Sequence, residues 1–452
     1  MRIVIVGGGV VGYSLAQQLL YEKHSISMIE PDSKVADGIA EKLDLQVIVA
    51  SGSSPSALED AGIEGADMVI AVTPVDEINL VVCSIARQYE VPQRIARLRG
   101  REFLSPDRHV SLEAIGVTSF IFPEKVMVDS ILQYVETPGA SDAVNFEDGN
   151  ILLRGYRITK GMPMVGKSLV DIRAMFESEM FLVAAVMRGD KGIIPPGDFV
   201  IEEGDKVYGL FPKTAVPAFM SLVNGEHAQA RRVVIAGDNL SSMELAASIQ
   251  DRISKVIYVD PDLARAEEVA VKLDKVEVIH GDCTELDTLK EIDINRVDFF
   301  IASSNEADYN MLSALLAKSE GAREVIAVST EFHHDQLFHS IGIDHVINPR
   351  VTAADEIMQI ISRGHFGSVV RLGDAEIEAL RLTVPEKSDI TDLPLKKVWK
   401  KLRKGALIGI INRGDTMIIP DGESIFEPDD IVIIIAYTKF IPQIQKLFKA
   451  KK

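Results

Sequence analysis

Short apolar, β-branched runs alternate with amphipathic segments over the first 137 residues of the chain. The runs have the length of buried strands, and the segments between them have the helical period. Strand and helix in alternation are typical of βαβ units, whose parallel strands form one sheet with helices on both faces. We therefore predict a doubly wound α/β domain with strands at Ile3–Val6, Ser25–Ile29, Leu45–Ala50, Met68–Val72, Arg94–Leu98 and Ser119–Phe122.

The pattern changes after residue 137. From about 138 to 225, short strand-like runs are separated by turns rich in Gly, Pro and Asp, as in RGDKGIIPPGD at 188–198. Turns of this composition join neighbouring strands of small sheets. This part of the chain is predicted to be a small α+β module.

The second half of the chain repeats the first. IVIVGGGVVGYSLAQQL at 3–19 resembles VVIAGDNLSSMELAASI at 233–249, and the RGD-IIP-G pattern of 188–197 recurs at 413–422. Self-similarity over this length indicates two tandem copies of one unit. The predicted fold class is α/β, with two doubly wound domains each followed by an α+β module. The expected domains are 1–137, 138–225, 230–363 and 367–450, joined through the small or polar segments 137–143, 225–231 and 363–368.

Composition limits the classes of protein that fit the chain. Its 452 residues are 47% hydrophobic and 25% charged, which is ordinary for a globular protein. The formal net charge of −19 argues against nucleic-acid binding. Cys83 and Cys283 supply neither a disulfide framework nor a four-thiolate zinc site, and they favour a reducing cytoplasm. We expect no export signal, because the apolar run at the N-terminus reaches a glycine turn after six residues, and no membrane span, because no apolar run approaches about 18 residues.

A glycine loop follows the first predicted strand. Gly7, Gly9 and Gly12 have the spacing G-x-G-x-x-G before a predicted helix at Tyr13–Tyr21, and the next strand ends in Glu30. In dinucleotide-binding domains, termed Rossmann-like, this context places a pyrophosphate at the helix N-terminus and the acid at the adenine ribose. A carboxylate there would repel a 2′-phosphate, so NAD(H) or a plain adenine nucleotide is favoured over NADP(H). The alternative is a ligand-free turn that only closes a βα corner.

The second copy departs from this loop. Gly237 is retained, but Asn239 and Ser242 replace the other two glycines, and Asp238 adds a carboxylate where phosphates would lie. Asp260 still ends the next strand and could hold a ribose. The second fold is therefore weak, specialised for a ligand with fewer phosphates, or vestigial.

The chain offers few candidates for catalysis. A dehydrogenase needs a proton-transfer group beside the nicotinamide, and the first fold has only His24 and His109, neither in a catalytic pattern. His333, His334 and His339 have poor spacing for a metal site, so we interpret them as a solvated helix face. An NAD-linked oxidoreductase with a duplicated Rossmann core remains the alternative function.

Several motifs together resemble the RCK domain family, the regulators of potassium conductance, also called KTN domains. The second copy contains the family's GDAT-like turn as Gly281-Asp282-Cys283-Thr284, which is degraded at Ala50–Ser53 in the first copy. The α+β modules resemble the RCK C-terminal module, with a G-x-x-L segment at Gly166–Leu169. The N–C–N–C order resembles the regulatory subunits of Trk-type potassium uptake systems.

This resemblance implies a regulatory protein with no enzymatic activity. It implies binding of NAD(H), with ATP or ADP as the alternative, and a homotetrameric ring peripheral to the cytoplasmic face of the membrane. The ring would gate a potassium-translocating subunit of the TrkH, TrkG or KtrB type. A third hypothesis is that the chain forms the soluble gating ring of a ligand-gated potassium channel whose pore lies on another chain. By motif, the implied nucleotide-binding residues are Gly7, Gly8, Gly9, Val10, Val11, Gly12, Glu30, Thr73, Pro74 and Arg97 in the first copy. In the second copy they are Gly237, Asp238, Asn239, Leu240, Ser241, Asp260 and Ser304.

Two further segments have open interpretations. In the RCK family a helix like Glu124–Val135 crosses to a neighbouring domain, whereas the same apolar spacing also fits an ordinary core helix. The basic run KKVWKKLRK at 396–404 either docks on an anionic surface or faces water.

Overall fold

The computed structural model describes residues 1–100, 103, 111–175, 181–223, 230–329, 338, 341–363, 369–373, 376–386, 388, 390–391, 393–398, 405–414 and 416–448. These residues form two compact units. The first unit contains Met1–Ile131 and Arg232–Ile360, and the second contains Leu132–Arg231 and Ile361–Lys452. Each unit thus combines corresponding parts of both copies.

Some sequence expectations concern residues outside the described ranges. They are the histidines at 109, 333, 334 and 339, most of the basic run 396–404, and the linker residues 225–229 and 364–368.

A six-stranded sheet forms the first copy's part of the first unit. All neighbouring strands are parallel, in the order β3-β2-β1-β4-β5-β6. The strands are β1 (Arg2–Val6), β2 (Ser25–Ile29), β3 (Gln46–Ile48), β4 (Met68–Ala71), β5 (Gln93–Arg97) and β6 (Ser119–Ile121). The helices are α1 (Val10–Tyr21), α2 (Ser33–Ala40), α3 (Pro55–Asp60), α4 (Asp76–Gln88), α5 (Leu112–Ile115) and α6 (Pro123–Glu136).

The first α+β module is an antiparallel sheet in the order β10-β9-β11-β8-β7. Its strands are β7 (Ala140–Phe146), β8 (Ile151–Arg157), β9 (Leu182–Arg188), β10 (Lys191–Ile193) and β11 (Lys206–Pro212). Its helices are α7 (Leu169–Met175) and α8 (Val216–Val223).

The second copy repeats the parallel sheet in the order β14-β13-β12-β15-β16-β17. The strands are β12 (Arg232–Gly237), β13 (Lys255–Asp260), β14 (Val276–His280), β15 (Phe299–Ser303), β16 (Glu324–Val328) and β17 (His345–Ile347). The helices are α9 (Leu240–Ile249), α10 (Leu263–Lys272), α11 (Leu286–Glu291), α12 (Ala307–Ser319) and α13 (Pro349–Arg363).

The second module repeats the antiparallel sheet in the order β18-β19-β22-β20-β21. Its strands are β18 (Val369–Arg371), β19 (Ile377–Thr383), β20 (Ala406–Arg413), β21 (Thr416–Ile418) and β22 (Ile431–Tyr437). Its helices are α14 (Leu395–Val398) and α15 (Ile441–Leu447). One apolar cluster of the second unit draws residues from both modules, among them Phe146, Leu210, Ile377 and Ile433.

The two sheet types confirm the predicted fold class, and the first six strands overlap the six predicted ones. The central strands β1 and β4 are buried almost throughout, as expected for a parallel sheet covered on both faces. One difference bears on the site. Helix α1 begins at Val10 and not at Tyr13 as predicted, so the third glycine of the loop lies within its first turn.

Candidate functional site

A cavity of about 1450 Å³ lies in the first unit at the carboxyl ends of the strands of both parallel sheets. Open parallel sheets bind their ligands at this end. Residues at the ends of β1, β2, β4 and β5 line it from the first copy, and residues at the ends of β12, β15 and β16 line it from the second. The predicted residues in its lining are Gly7, Gly9, Val10, Val11, Glu30, Thr73, Pro74, Arg97, Asp238, Asn239, Leu240, Ser241 and Ser304. The predicted residues outside its described lining are Gly8, Gly12, Gly237 and Asp260.

The three loop glycines have different surroundings. Gly7 has φ of +107°, and a Cβ there would lie 3.0 Å from the backbone nitrogen of Thr73. A Cβ on Gly12 would lie 1.9 Å from the carbonyl oxygen of Gly7, so only glycine lets α1 approach the loop. A Cβ on Gly9 would meet no described atom within 4 Å. Gly9 therefore leaves room for a ligand at the backbone.

The N-terminus of α1 is open to this cavity. Gly9 is its N-cap residue and supplies no side-chain hydrogen bond to the first turn. Helix N-termini carry unpaired N–H groups and the positive end of the helix dipole, which together bind anions such as phosphate. The first copy thus offers an anion site whose donors are not taken by a side-chain cap.

Glu30 lies at the end of β2 with only 9% of its surface exposed. Its Oε2 accepts the Gly8 N–H at 2.7 Å, and its Oε1 accepts the Asp32 N–H at 3.0 Å. An ionised carboxylate has about four lone-pair positions, so both oxygens retain capacity for a ribose hydroxyl. Gly8 therefore helps to orient the Glu30 carboxylate, although Gly8 itself lies outside the described lining of the cavity.

A buried asparagine that the sequence analysis did not assign to the site holds two strand ends together. Asn79 Oδ1 accepts the Thr73 N–H at 3.0 Å, and its Nδ2 donates to the carbonyl oxygens of Thr73 at 3.0 Å and Arg97 at 2.8 Å. The side chain is fully buried. Asn79 thereby fixes the ends of β4 and β5, which carry the two predicted contact residues.

The second copy has the same clamp. Asn310 Oδ1 accepts the Ser304 N–H at 2.8 Å, and its Nδ2 donates to the carbonyl oxygens of Ser304 at 3.0 Å and Val328 at 2.8 Å. The repeat alignment pairs Asn79 with Asn310. An asparagine at the same position of an apolar helix face in both copies was the signal in the sequence that could have identified both residues.

Arg97 lines the cavity as a buried cation. Its Nε is buried and has no hydrogen-bond partner among the described residues. Burial is the main cause that lowers the pKa of this guanidinium, while the neighbouring Glu124 acts in the opposite direction. Because arginine keeps its charge in proteins, an anionic ligand would satisfy it.

The loop of the second copy caps its own helix. Asn239 Oδ1 accepts the Ser242 N–H at 2.9 Å, and Ser242 Oγ accepts the Asn239 N–H at 3.2 Å, which forms a capping box at the start of α9. Asp238 Oδ1 accepts the Asn305 N–H at 2.9 Å. First-turn donors that α1 leaves open are therefore occupied in α9.

Asp260 is occupied by an internal cation. Its carboxylate is fully buried and accepts two hydrogen bonds from the Arg265 guanidinium, at 3.1 and 3.2 Å, and one from the Asp262 N–H at 2.8 Å. At the position that corresponds to Arg265, the first copy has Val35, which lines the cavity. The acid of the second copy is therefore neutralised within the protein, whereas Glu30 has only backbone donors among the described contacts.

Other chemistry has little support among the described residues. They contain no group of three or more His, Cys, Asp or Glu side chains that could hold a metal ion. Cys83 and Cys283 are both buried, and burial raises the pKa of each thiol to about 12. No helix in the described part of the chain has the length and apolar character needed to cross a bilayer.

Comparison with known families gives matches in both halves of the chain. The TrkA-N domain model matches residues 3–123 and 233–349, and the TrkA-C domain model matches residues 153–224 and 380–449. These matches confirm the resemblance inferred from the sequence motifs.

Curated relatives match the chain from end to end. The Trk system potassium uptake protein TrkA of Halomonas elongata is 32% identical over 454 residues, covering 99% of this chain and 99% of the relative. The protein of the same name from Azorhizobium caulinodans is 29% identical over 454 residues, with 99% of each chain covered.

A solved structure with the same fold is described as the GsuK channel bound to NAD. It has a TM-score of 0.60 and 17% sequence identity, and the match covers 98% of this chain and 79% of that chain. At this level of identity the likeness shows the fold alone.

Proposed function

This chain belongs to the TrkA family, and we propose that it is a nucleotide-sensing regulatory subunit of a potassium uptake system. The potassium assignment is supported by the name of the curated relatives, which match 99% of this chain. The observation that carries the nucleotide assignment is the uncapped glycine loop beside Glu30 at the edge of one large cavity.

The ligand of the first copy is NAD(H) or an adenine nucleotide such as ATP or ADP. The loop and the α1 N-terminus hold the phosphates, and Glu30 accepts the hydroxyl groups of the adenine ribose. A solved structure of the same fold is described as a channel bound to NAD. The capping box of α9 and the pairing of Asp260 with Arg265 favour the vestigial interpretation of the second copy's own loop.

The bound nucleotide is a signal and undergoes no turnover. The described lining of the cavity contains no histidine, cysteine or tyrosine that could exchange a proton with a substrate. His24 lies elsewhere, with Nδ1 at 3.3 Å from the N-terminal amine and Nε2 at 3.3 Å from Glu22. Steady NADH oxidation by the pure protein with a panel of carbonyl compounds would support the oxidoreductase alternative instead.

The partner is a potassium-translocating membrane protein. The chain forms a homotetrameric ring that docks on the cytoplasmic side of this partner. Regulation of that partner requires that one conformation of the ring bind the nucleotide more tightly than the other. Co-purification from membranes and identification of the partner would separate an uptake transporter from a channel.

Two matched substitutions test the nucleotide site by calorimetry with ATP and NADH on the full chain. Glu30→Ala removes both ribose contacts, and we expect affinity to fall about 10- to 100-fold, the range for hydrogen bonds to a charged group. Asp260→Ala is the control, because Asp260 corresponds to Glu30 in the second copy and lies outside the described lining of the cavity. The nucleotide affinity of the Asp260→Ala variant should stay within about twofold of that of the unaltered chain. Equal affinities for Glu30→Ala and the unaltered chain would contradict the assignment.

A further inference from the structure

The two α+β modules pack against each other within the second unit, and one apolar cluster draws residues from both. Their corresponding positions follow from β8 and β19, which have the same length. The residue after each strand, Ile158 or Val384, donates its N–H to an aspartate carbonyl oxygen, at 2.7 and 2.8 Å. In this register Gly155 of the first module corresponds to Arg381 of the second. Two identical modules would make the same contact twice, whereas these two modules make different contacts.

One contact is an ion pair between the modules. Arg381 of β19 donates from its Nε to Oε1 of Glu147, in the turn between β7 and β8, at 2.5 Å. The two side chains are only 16% and 15% exposed. Removing one partner of a buried ion pair leaves an uncompensated charge, which is strongly destabilising. Arg381 therefore requires a carboxylate on the module that faces it.

Glu147 supplies this carboxylate from a strained backbone. Its φ is +50°, in the left-handed region that favours glycine, and the corresponding residue of the second module is Gly373, with φ of +56°. Strained residues persist where the surrounding structure requires them. The first module therefore retains a glutamate at a glycine position because Arg381 of the other module lies opposite.

The corresponding contact contains a tyrosine and glycines in place of the ion pair. A Cβ on Gly373 would lie 3.0 Å from the hydroxyl oxygen of Tyr208, so a side chain at this position would be crowded. Tyr208 is the cross-strand neighbour of Gly155, whereas Arg381 has Ile433 as its cross-strand neighbour. The first module thus presents Tyr208 to a glycine, and the second module presents Arg381 to a glutamate.

A third position of the interface is also filled from one module. A Cβ on Gly409, at the bulge of β20, would lie 2.3 Å from Leu210 Cδ2 of the first module. The residue at the corresponding bulge of β9 is Ala184, which carries this Cβ. Two first modules packed in the same way would therefore place each Leu210 against a methyl group, which overpacks the contact.

We propose that these contacts make the interface specific for one module of each kind, so that a first module accepts a second module and rejects a copy of itself. Two second modules would leave Arg381 opposite Gly373 at both contacts, without a carboxylate. Two first modules would put Glu147 where Tyr208 leaves room only for glycine. The unlike pair alone satisfies Arg381, Tyr208 and Leu210 together. The partner that this surface fits is the unlike module, which in the structure belongs to the same chain.

A disulfide introduced between the modules of the full chain reports which module lies opposite. Leu210 Cδ2 reaches the Cβ position of residue 409, so Leu210→Cys and Gly409→Cys together bring two thiols within reach of a disulfide. The native thiols of Cys83 and Cys283 are buried and do not compete. After oxidation we expect a cross-link within one chain, seen on a denaturing, non-reducing gel as faster migration without a change in mass. Absence of this cross-link would overturn the proposal.

A second cysteine pair tests the rejection of like modules. If two first modules paired, position 210 of one chain would face position 184 of the other. Leu210→Cys with Ala184→Cys should therefore give no covalent dimer after the same oxidation. A dimer band that disappears on reduction would contradict the proposed specificity.

Charge reversal in the chain with cysteines at positions 210 and 409 tests the ion pair. Glu147→Arg places two guanidinium groups in one buried contact, so the rate of cross-linking should fall about tenfold. Adding Arg381→Glu restores opposite charges at exchanged positions and should return the rate to within about twofold of the starting value. An unchanged rate in the single variant, or no recovery in the double variant, would overturn the role of the pair.

The glycine contact has a matched control in the same module. Gly373→Glu should slow the cross-linking about tenfold, because its side chain meets Tyr208. Gly414 has nearly the same φ, +59°, but a Cβ there would meet no described atom within 4 Å, so Gly414→Glu should leave the rate unchanged. Equal rates for these two variants would contradict the role of the contact. None of these measurements requires a nucleotide, so this inference and the proposed function can fail independently.

Discussion

The three glycines of the first loop are required for three different physical reasons. Gly7 adopts a left-handed conformation, Gly12 has no space for a methyl group, and Gly9 faces open space. The first two requirements concern folding, and the third concerns a ligand. Substitutions at Gly7 and Gly12 should therefore lower stability, whereas a substitution at Gly9 should lower ligand affinity.

Gly12→Ala and Gly9→Ala separate these requirements. A methyl group at Gly12 would lie 1.9 Å from a backbone oxygen, so we expect the free energy of unfolding to fall by about 3 kcal/mol, the upper range for overpacking. Gly9 has φ of −63°, which alanine adopts freely, so Gly9→Ala should unfold like the unaltered chain. Urea unfolding measures both.

The nucleotide assay should give the reverse contrast. Gly9→Ala places its methyl group where the phosphate would approach, so ATP affinity should fall at least about tenfold, although the protein is fully folded. If Gly9→Ala binds ATP with unchanged affinity, the loop does not contact the phosphates.

The sequence predicted part of the site at the level of single residues. Glu30 and the glycines could be predicted because their spacing is typical of one ligand chemistry. The pairing of Asp260 with Arg265 could not be predicted, because the sequence does not indicate whether a cation on the next helix reaches the acid at the strand end. Asn79 was visible only as a match between the copies, since an amide on an apolar helix face gives no partner by itself.

At the scale of elements, the arginine of the RGD segment in each module binds a buried aspartate that lies after the following turn. Arg413 at the end of β20 donates to both oxygens of the buried Asp430 at 2.8 Å, and to the carbonyl oxygen of Ile425 at 2.8 Å. The hydrogen bond to Asp430 is the main cause that raises the pKa of Arg413. Arg188 makes the same contacts with Asp205, at 2.7 and 2.8 Å.

Arg413→Ala should destabilise the second module strongly. It leaves the buried carboxylate of Asp430 without its cation, a change that costs about 3–5 kcal/mol for a fully buried pair. Because the arginine side chain is 32% exposed, we expect about 2–3 kcal/mol, measured as the free energy of unfolding.

The double variant is the control for this prediction. Arg413→Ala with Asp430→Asn removes both charges, so part of the lost stability should return. A double variant as unstable as the sum of the single ones would mean that the two side chains contribute separately. The RGD pattern was visible in the sequence as a repeat, but the partner of its arginine lies 17 residues later and could not be predicted from spacing.

At the scale of the whole molecule, the sequence predicted two copies of one fold but not how they combine. The hydrophobic period indicates which face of an element is buried, and it does not indicate the element against which that face packs. The first unit joins both doubly wound sheets around one cavity, so Arg350 of the second copy lines the same cavity as Arg97 of the first. Asn239 and Asp238 are predicted ligand contacts of the second copy, and in the structure both line this shared cavity.

In the proposed function, a nucleotide bound in this shared cavity would contact both copies, and coupling between ligand and partner must be reciprocal. If ATP favours the conformation that binds the membrane protein, the membrane protein must raise the affinity for ATP by the same factor, typically about 5- to 150-fold. We expect the ATP dissociation constant to differ by this factor between the free chain and its complex with the solubilised partner. The affinity for the partner, measured with and without saturating ATP, should change equally.

Glu30→Ala is the control for this cycle, because it weakens ATP binding about 10- to 100-fold without altering the described contacts of the second unit. At an ATP concentration that just saturates the unaltered chain, the affinity of this variant for the partner should be close to that of the unaltered chain without ATP. Identical ATP affinities for the free chain and the complex would contradict the regulatory role, because a nucleotide that does not distinguish two states cannot shift the equilibrium between them. A difference of at least fivefold in both arms, abolished by Glu30→Ala, would identify the first copy's loop as the sensor.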